Sequence, residues 1–179
     1  MSRPSKKRRR FKYIDDILVY STTSDDITLA HKRSCELGVP YGSYSSGMGR
    51  MTGFLGEIAV GNYLPRSRYV GDKVYSHDLE YKNQTIEVKS KICGSRPAPH
   101  FSAFVNGDKD ISPENDVYFF TRVRRDWQTV YICGWLPTPT FFDEAKFIPA
   151  GGSDDSGFVF KMSGFHIDIS ELNYPDDFK

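Results

Sequence analysis

Asp78, Glu87 and Lys89 are close in sequence and have the side chains needed to hold a divalent cation and direct a water at a phosphate. They flank Lys82-Asn83-Gln84, polar turn material between strand formers at Tyr81 and at Thr85, Ile86 and Val88. A hairpin with Lys82-Asn83 as its loop, closed by a Tyr81–Gln84 pair, sets Glu80 against Thr85 and Asp78 against Glu87. Directly opposed Cβ atoms on one face lie about 4.5–5.5 Å apart. Lys89 shares that face because strand side chains alternate, and Ile86 and Val88 turn to the other face to anchor the strand in the core. Two facing carboxylates repel and weaken a bare sheet. A cation between them reverses the sign. Mg²⁺ suits the pair, since it takes a few carboxylate oxygens and keeps several waters, and Mn²⁺ can substitute. Lys89 beside the ion would orient or activate a water, or stabilise transition-state charge.

The Glu-x-Lys pattern is common, and this chain contains it at Glu80-Tyr81-Lys82, Glu87-Val88-Lys89 and Glu144-Ala145-Lys146. Glu144 and Lys146 fall in a run, 138–146, that reads as a short helix with no acidic hairpin partner. Only the second copy has an opposed aspartate. By itself the pair is also compatible with a solvated surface hairpin.

A helix-like run over 53–64 precedes the hairpin and carries Glu57, with Leu55, Ile58 and Ala59 facing inward. Gly56 and Gly61 weaken it as a helix, although a small residue there lets it lie close against a sheet. The order helix Glu, then Asp, then Glu-x-Lys resembles the PD-(D/E)XK nuclease superfamily. The resemblance covers about 53–91 closely, and the strands at 116–123 and 129–135 match only as architecture. It departs at His77, where the family's name has proline. The resemblance implies that Asp78 and Glu87 ligate the metal with the Val88 carbonyl as a third oxygen. It further implies that Glu57 completes the acidic cluster through a second ion or a bound water, and that Lys89 serves the attacking water. The implied activity is Mg²⁺-dependent hydrolysis of phosphodiester bonds in DNA by an endonuclease. Size and composition look like the small nucleases of phages and mobile elements, Holliday-junction resolvases included. By analogy with such enzymes a homodimer is the expected assembly. An exonuclease on the same fold, or a non-catalytic DNA-binding module, is the alternative.

Those residues need a scaffold, and the 179-residue chain is long enough to bury a proper core, with 39% hydrophobic and 15% aromatic content. No run of apolar residues is long enough to span a membrane, and the N-terminus lacks the apolar core of a secretory signal. Cys35, Cys93 and Cys133 are odd in number and widely spaced, which argues for a reducing compartment and against zinc or an iron–sulfur cluster. The expected location is the cytoplasm, or a host's cytoplasm for a phage-encoded chain. Net charge is +1, yet residues 1–12 hold seven bases and no acid, which leaves a body of 17 bases and 23 acids. Lys6, Lys7, Arg8, Arg9 and Arg10 in this arm are expected DNA contacts through phosphate charge. The same composition also fits a nuclear-import signal or a solubilising tail. The rest, 13–179, reads as one nuclease domain.

Within it, 14–20 reads as a short strand. A helix follows with Ser24 as N-cap, Asp25 and Asp26 in its first turn, and Gly38 and Pro40 ending it. The stretch 42–53, rich in Gly and Ser, reads as a mobile loop offering Arg50 to phosphate. Lys91 continues the parity of Lys89 and is expected to touch a neighbouring phosphate. Strands are expected at 101–105, 117–123 and 130–135, with a last strand pair near 158–169. The expected fold is α+β (α/β): a restriction-endonuclease-like core of one mixed central β-sheet with helices on its faces.

Overall fold

The computed structural model describes residues 10–36, 48–71, 76–153 and 157–179. Its centre is built from the two most apolar runs of the sequence. They form β7 (Val117–Arg124) and β8 (Thr129–Pro137), buried along nearly their whole length. Around them a seven-stranded mixed sheet runs in the spatial order β1 (Phe11–Ile14), β2 (Ile17–Ser21), β8, β7, β5 (Gln84–Cys93), β4 (Leu79–Tyr81) and β3 (Arg68–Tyr69). The β5–β7 pair is parallel and its other neighbours are antiparallel.

Helices α1 (Ser24–Glu36) and α2 (Met48–Tyr63) cover one face. Leu55, Ala59 and Val60 of α2 pack there against Ile86, Val88, Phe119 and Ile132. A Cβ at Gly56 would collide with the Ser90 and Thr121 hydroxyls. Glycine at this position therefore lets α2 rest directly on β5 and β7, and so fixes the height of the next residue, Glu57.

The opposite face carries only one short helix and a second sheet, contrary to the expectation of one sheet between helices. It is covered by α3 (Thr138–Glu144) and a three-stranded sheet ordered β6 (Ser102–Asn106), β10 (Gly164–Asp168), β9 (Lys146–Ile148). Tyr118 and Phe120 pack there with Phe141, Phe165 and Val105 in a second core. β6 falls where a strand was expected at 101–105 and β10 within the pair expected near 158–169, whereas β9 has only three residues and carries little periodic signal.

Other boundaries also move. The expected strand at 14–20 is a hairpin: Asp15 and Asp16 adopt φ of 44° and 64°, the left-handed pair of a type I′ turn, between β1 and β2. Phe11 and Lys12, expected in the basic arm, belong to β1. The cap of α1 is Thr23 rather than Ser24. Its Oγ1 accepts from the Asp26 N–H at 3.2 Å, and Asp26 accepts from the Thr23 N–H at 2.8 Å, a reciprocal capping arrangement. Residues 48–53, expected in a mobile loop, form the first turns of α2, which places Arg50 on a helix; 37–47 lie outside the described residues. Among the described residues no helix is long and apolar enough to cross a membrane.

Candidate metal and nuclease site

The hairpin has the counted register from its turn outward: Tyr81 pairs with Gln84, Glu80 with Thr85 and Leu79 with Ile86. Lys82 and Asn83 form the two-residue loop, with φ of 48° and 63°. At Asp78 the regular ladder stops. The Asp78 N–H donates to the Ile86 carbonyl at 2.9 Å, so Asp78 and Leu79 both oppose Ile86, the count of a β-bulge. Direct pairing of Asp78 with Glu87 was the expectation, and the bulge changes how the two meet. It swings the Asp78 side chain toward β5, where Oδ2 accepts from the Val88 N–H at 2.8 Å. The aspartate thus takes the place of a missing main-chain acceptor.

That position brings it to Glu87. The two carboxyl groups are within hydrogen-bonding reach, and Asp78 has its pKa raised, first by burial and then by the charge of Glu87. Lys89 Nζ donates to Glu87 Oε1 at 2.7 Å, both side chains being partly buried. It also lies 6.0 Å from the centroid of the Tyr118 ring. The Val88 N–H is aimed at Asp78, and in an extended strand the carbonyl of the same residue faces the same edge. Val88 therefore offers its oxygen along the edge that β4 leaves unpaired.

Glu57 enters from α2 on the other face of the sheet. It is buried, and its pKa is pushed well above the carboxylate range by burial and then by Asp78, with a smaller push from Glu87. Arg33 and a hydrogen bond from Tyr69 act against that push. The Arg33 guanidinium sits 3.6 Å above the Tyr69 ring. Glu57 Oε2 is buried without a hydrogen-bond partner. Arg33 and Tyr69 were not anticipated, because α1 and β3 meet Glu57 only through tertiary packing.

Asp78, Glu87 and Glu57, with the nearby Val88 carbonyl, offer only oxygen donors, the type that a hard divalent cation takes. Among the described residues no three His, Cys, Asp or Glu side chains close into a metal-binding group. The acids are held by Val88, Lys89 and Tyr69 instead.

The remaining expected contacts divide. Lys91 lies one strand repeat beyond Lys89, at the mouth of an adjoining cleft. Arg10 is bound to the body, its Nη1 3.4 Å from the Tyr20 hydroxyl and 3.8 Å from Asp26. Lys6, Lys7, Arg8 and Arg9 lie outside the described residues. Glu80 turns from the cluster and pairs with Arg68. His77 is buried, with Nδ1 3.0 Å from the Ser76 hydroxyl.

No family model and no curated protein matches the chain.

Proposed function

We propose that the chain is a Mg²⁺-dependent nuclease that hydrolyses DNA phosphodiester bonds, most simply as an endonuclease on a PD-(D/E)XK-type, restriction-endonuclease-like core. The observation that supports this reading is the meeting of Asp78 and Glu87 with Lys89 hydrogen-bonded to Glu87. Asp78, Glu87 and the Val88 carbonyl would hold the ion, and Glu57 would take a second ion or a bound water. When bound, the ion supplies positive charge where negative charge builds on the phosphate. Lys89 keeps one N–H on Glu87 and has two others, which orient the attacking water and offset charge on the non-bridging oxygens. Burial of Glu57 and Asp78 strengthens each of these interactions by excluding water. Arg50, Lys91 and the arm residues Lys6, Lys7, Arg8, Arg9 and Arg10 would contact the backbone. Assembly as a homodimer and a cytoplasmic location belong to the same proposal.

The test is cleavage of plasmid, linear and four-way-junction DNA side by side. Mg²⁺ or Mn²⁺ should support cutting, Ca²⁺ should support binding with little cutting, and chelator should abolish it. Undiminished cutting in excess chelator would overturn the metal mechanism. Loss of linear DNA alone would mark an exonuclease, and binding without any cleavage would mark a binding module.

A further inference from the structure

Beside Lys89 the central sheet and the three-stranded sheet part to leave a cleft with two lobes of about 430 and 640 Å³. The lobes share Lys91, Ser102, Arg122, Phe158 and Phe160. Arg122 is the unusual member. It is buried, and one Nη donates to the Ser102 carbonyl at 2.6 Å. Among the described residues it forms no ion pair with a carboxylate. Buried charges in proteins are ordinarily paired, because desolvating one alone is costly. Here the nearest strand neighbour is a second cation, since Lys91 pairs with Arg122 in the β5–β7 register. The Lys91 ammonium has its pKa lowered by desolvation and then by Arg122, and Arg122 has its own lowered by desolvation. Asp168 is the one acid among the described residues of the lining, against Lys89, Lys91, Arg122, Lys146 and Lys161, so the cleft is basic and suits an anion from outside.

The opposite wall is aromatic. Phe158 is 59% exposed and meets Phe160 edge-on at 5.2 Å between centroids. Phe160 lies 4.2 Å from the His166 ring, which lies 4.4 Å from Phe104. Val159 and Met162 add exposed apolar surface beside Phe158. A basic floor beside exposed aromatic side chains is the combination that binds unpaired nucleotides, through backbone charge and base stacking. The volumes match a small ligand rather than a duplex. Lys89 and Lys91 are separated by two strand residues, roughly 6.6 Å, about one nucleotide of extended chain.

We infer that this cleft seats an unpaired nucleotide next to the bond presented to Lys89, with its phosphate on Arg122 and Lys91 and its base on Phe158. Single-stranded or frayed DNA is then the substrate class, in preference to fully paired duplex. The placement of the cut bond rests on the nuclease reading; the binding itself does not.

Binding is measured by anisotropy in chelator, using the full chain, with a fluorescent 5′-phosphorylated oligothymidylate and with a duplex closed by hairpins at both ends. The oligothymidylate should bind more tightly. Phe158→Ala should weaken it about tenfold and leave the closed duplex unchanged. Lys91→Met should make the salt dependence shallower by about 0.7 in log–log slope. Arg122→Met is expected to weaken binding further, and Lys91→Arg to restore the slope if Lys91 serves as a charge; a thermal melt checks that Arg122→Met still folds. Wild-type affinity and slope in both Phe158→Ala and Lys91→Met would overturn the inference, whether or not the protein cuts DNA. Responsive binding in a protein that cuts no DNA with Mg²⁺ would leave the cleft standing and remove the nuclease reading.

Discussion

Glu87-Val88-Lys89 and Glu144-Ala145-Lys146 are the same pattern in two settings. The first lies on β5, inside the sheet between β4 and β7, where Glu87 and Lys89 are partly buried and hydrogen-bonded to each other. The second straddles the end of α3 and the edge strand β9, and both charged side chains are exposed. Across the β9–β10 pair Lys146 meets His166 rather than an acid. The difference lies in what surrounds the pattern: a partner strand that stops at a bulge, a helix that delivers a third acid, and enough burial to make the charges act on one another. An exposed pair of this kind contributes at most about 1 kcal/mol. The buried set sits under electrostatic strain that a cation would relieve.

The largest effect should come from removing the acid that the second copy lacks. Asp78→Asn is expected to abolish both metal binding by calorimetry and DNA cleavage. Its amide can still meet the sheet, so a melt within a few degrees of wild type would show the loss to be chemical. Retained cleavage would make the two Glu-x-Lys copies equivalent and end the comparison.

Next in size is Lys89→Ala. Metal binding should persist, while turnover should fall about 10²–10³-fold, the usual loss for a transition-state donor. Equal loss of metal affinity would move Lys89 from chemistry to the maintenance of Glu87.

A smaller effect is expected in stability. The folded-state pKa values of Glu57 and Asp78 are raised above the unfolded values near 4.5 and 3.8. Below both unfolded values the acids are protonated in either state, and no penalty exists. As pH rises toward the folded values, the unfolded chain releases protons first and the metal-free fold loses stability. Glu57→Gln should therefore raise the melting temperature of metal-free protein by several degrees at pH 8 and change it little at pH 4. Mg²⁺ should raise the wild-type melting temperature at pH 8 and raise that of the variant less. A variant that melts lower at pH 8 would show that Glu57 is held by its partners rather than strained.

The smallest effect closes the comparison. Glu144→Gln and Lys146→Ala should leave cleavage unchanged and shift stability by no more than about 0.5 kcal/mol. A tenfold loss of cleavage from either one would mean that the wrong copy had been taken as the site.

Much of the hairpin was readable because its signals are local. Asn83 favours the left-handed turn, and the alternation of Glu87, Val88 and Lys89 separates a polar face from an apolar one. The bulge at Asp78 was not readable, since it depends on Val88 finding a side-chain acceptor. The first turns of α2 were hidden by Gly49, whose loop preference is overridden where the helix packs on the sheet. β9 was hidden because the helical pattern reads on to Lys146, whereas the helix ends at Glu144. Arg122 reads in sequence as one polar residue in an apolar strand; only the fold reveals that it pairs with Lys91 and, among the described residues, forms no ion pair with an acid.

Gly56 and the hairpin together have a consequence in time. The β4–β5 pair closes over two residues, and hairpins of this kind form in about 1–10 μs. The parallel β5–β7 pair and the seating of α2 join residues far apart in the chain, and such contacts arrive later. A hairpin that closes first would bring Asp78 toward Glu87 in open water, and the burial of Asp78 and Glu57 would follow when Gly56 settles onto Ser90 and Thr121. Mg²⁺ present during that interval would meet a hydrated, open pair of acids, and the ion would then be enclosed by the last step of folding instead of having to enter a finished site.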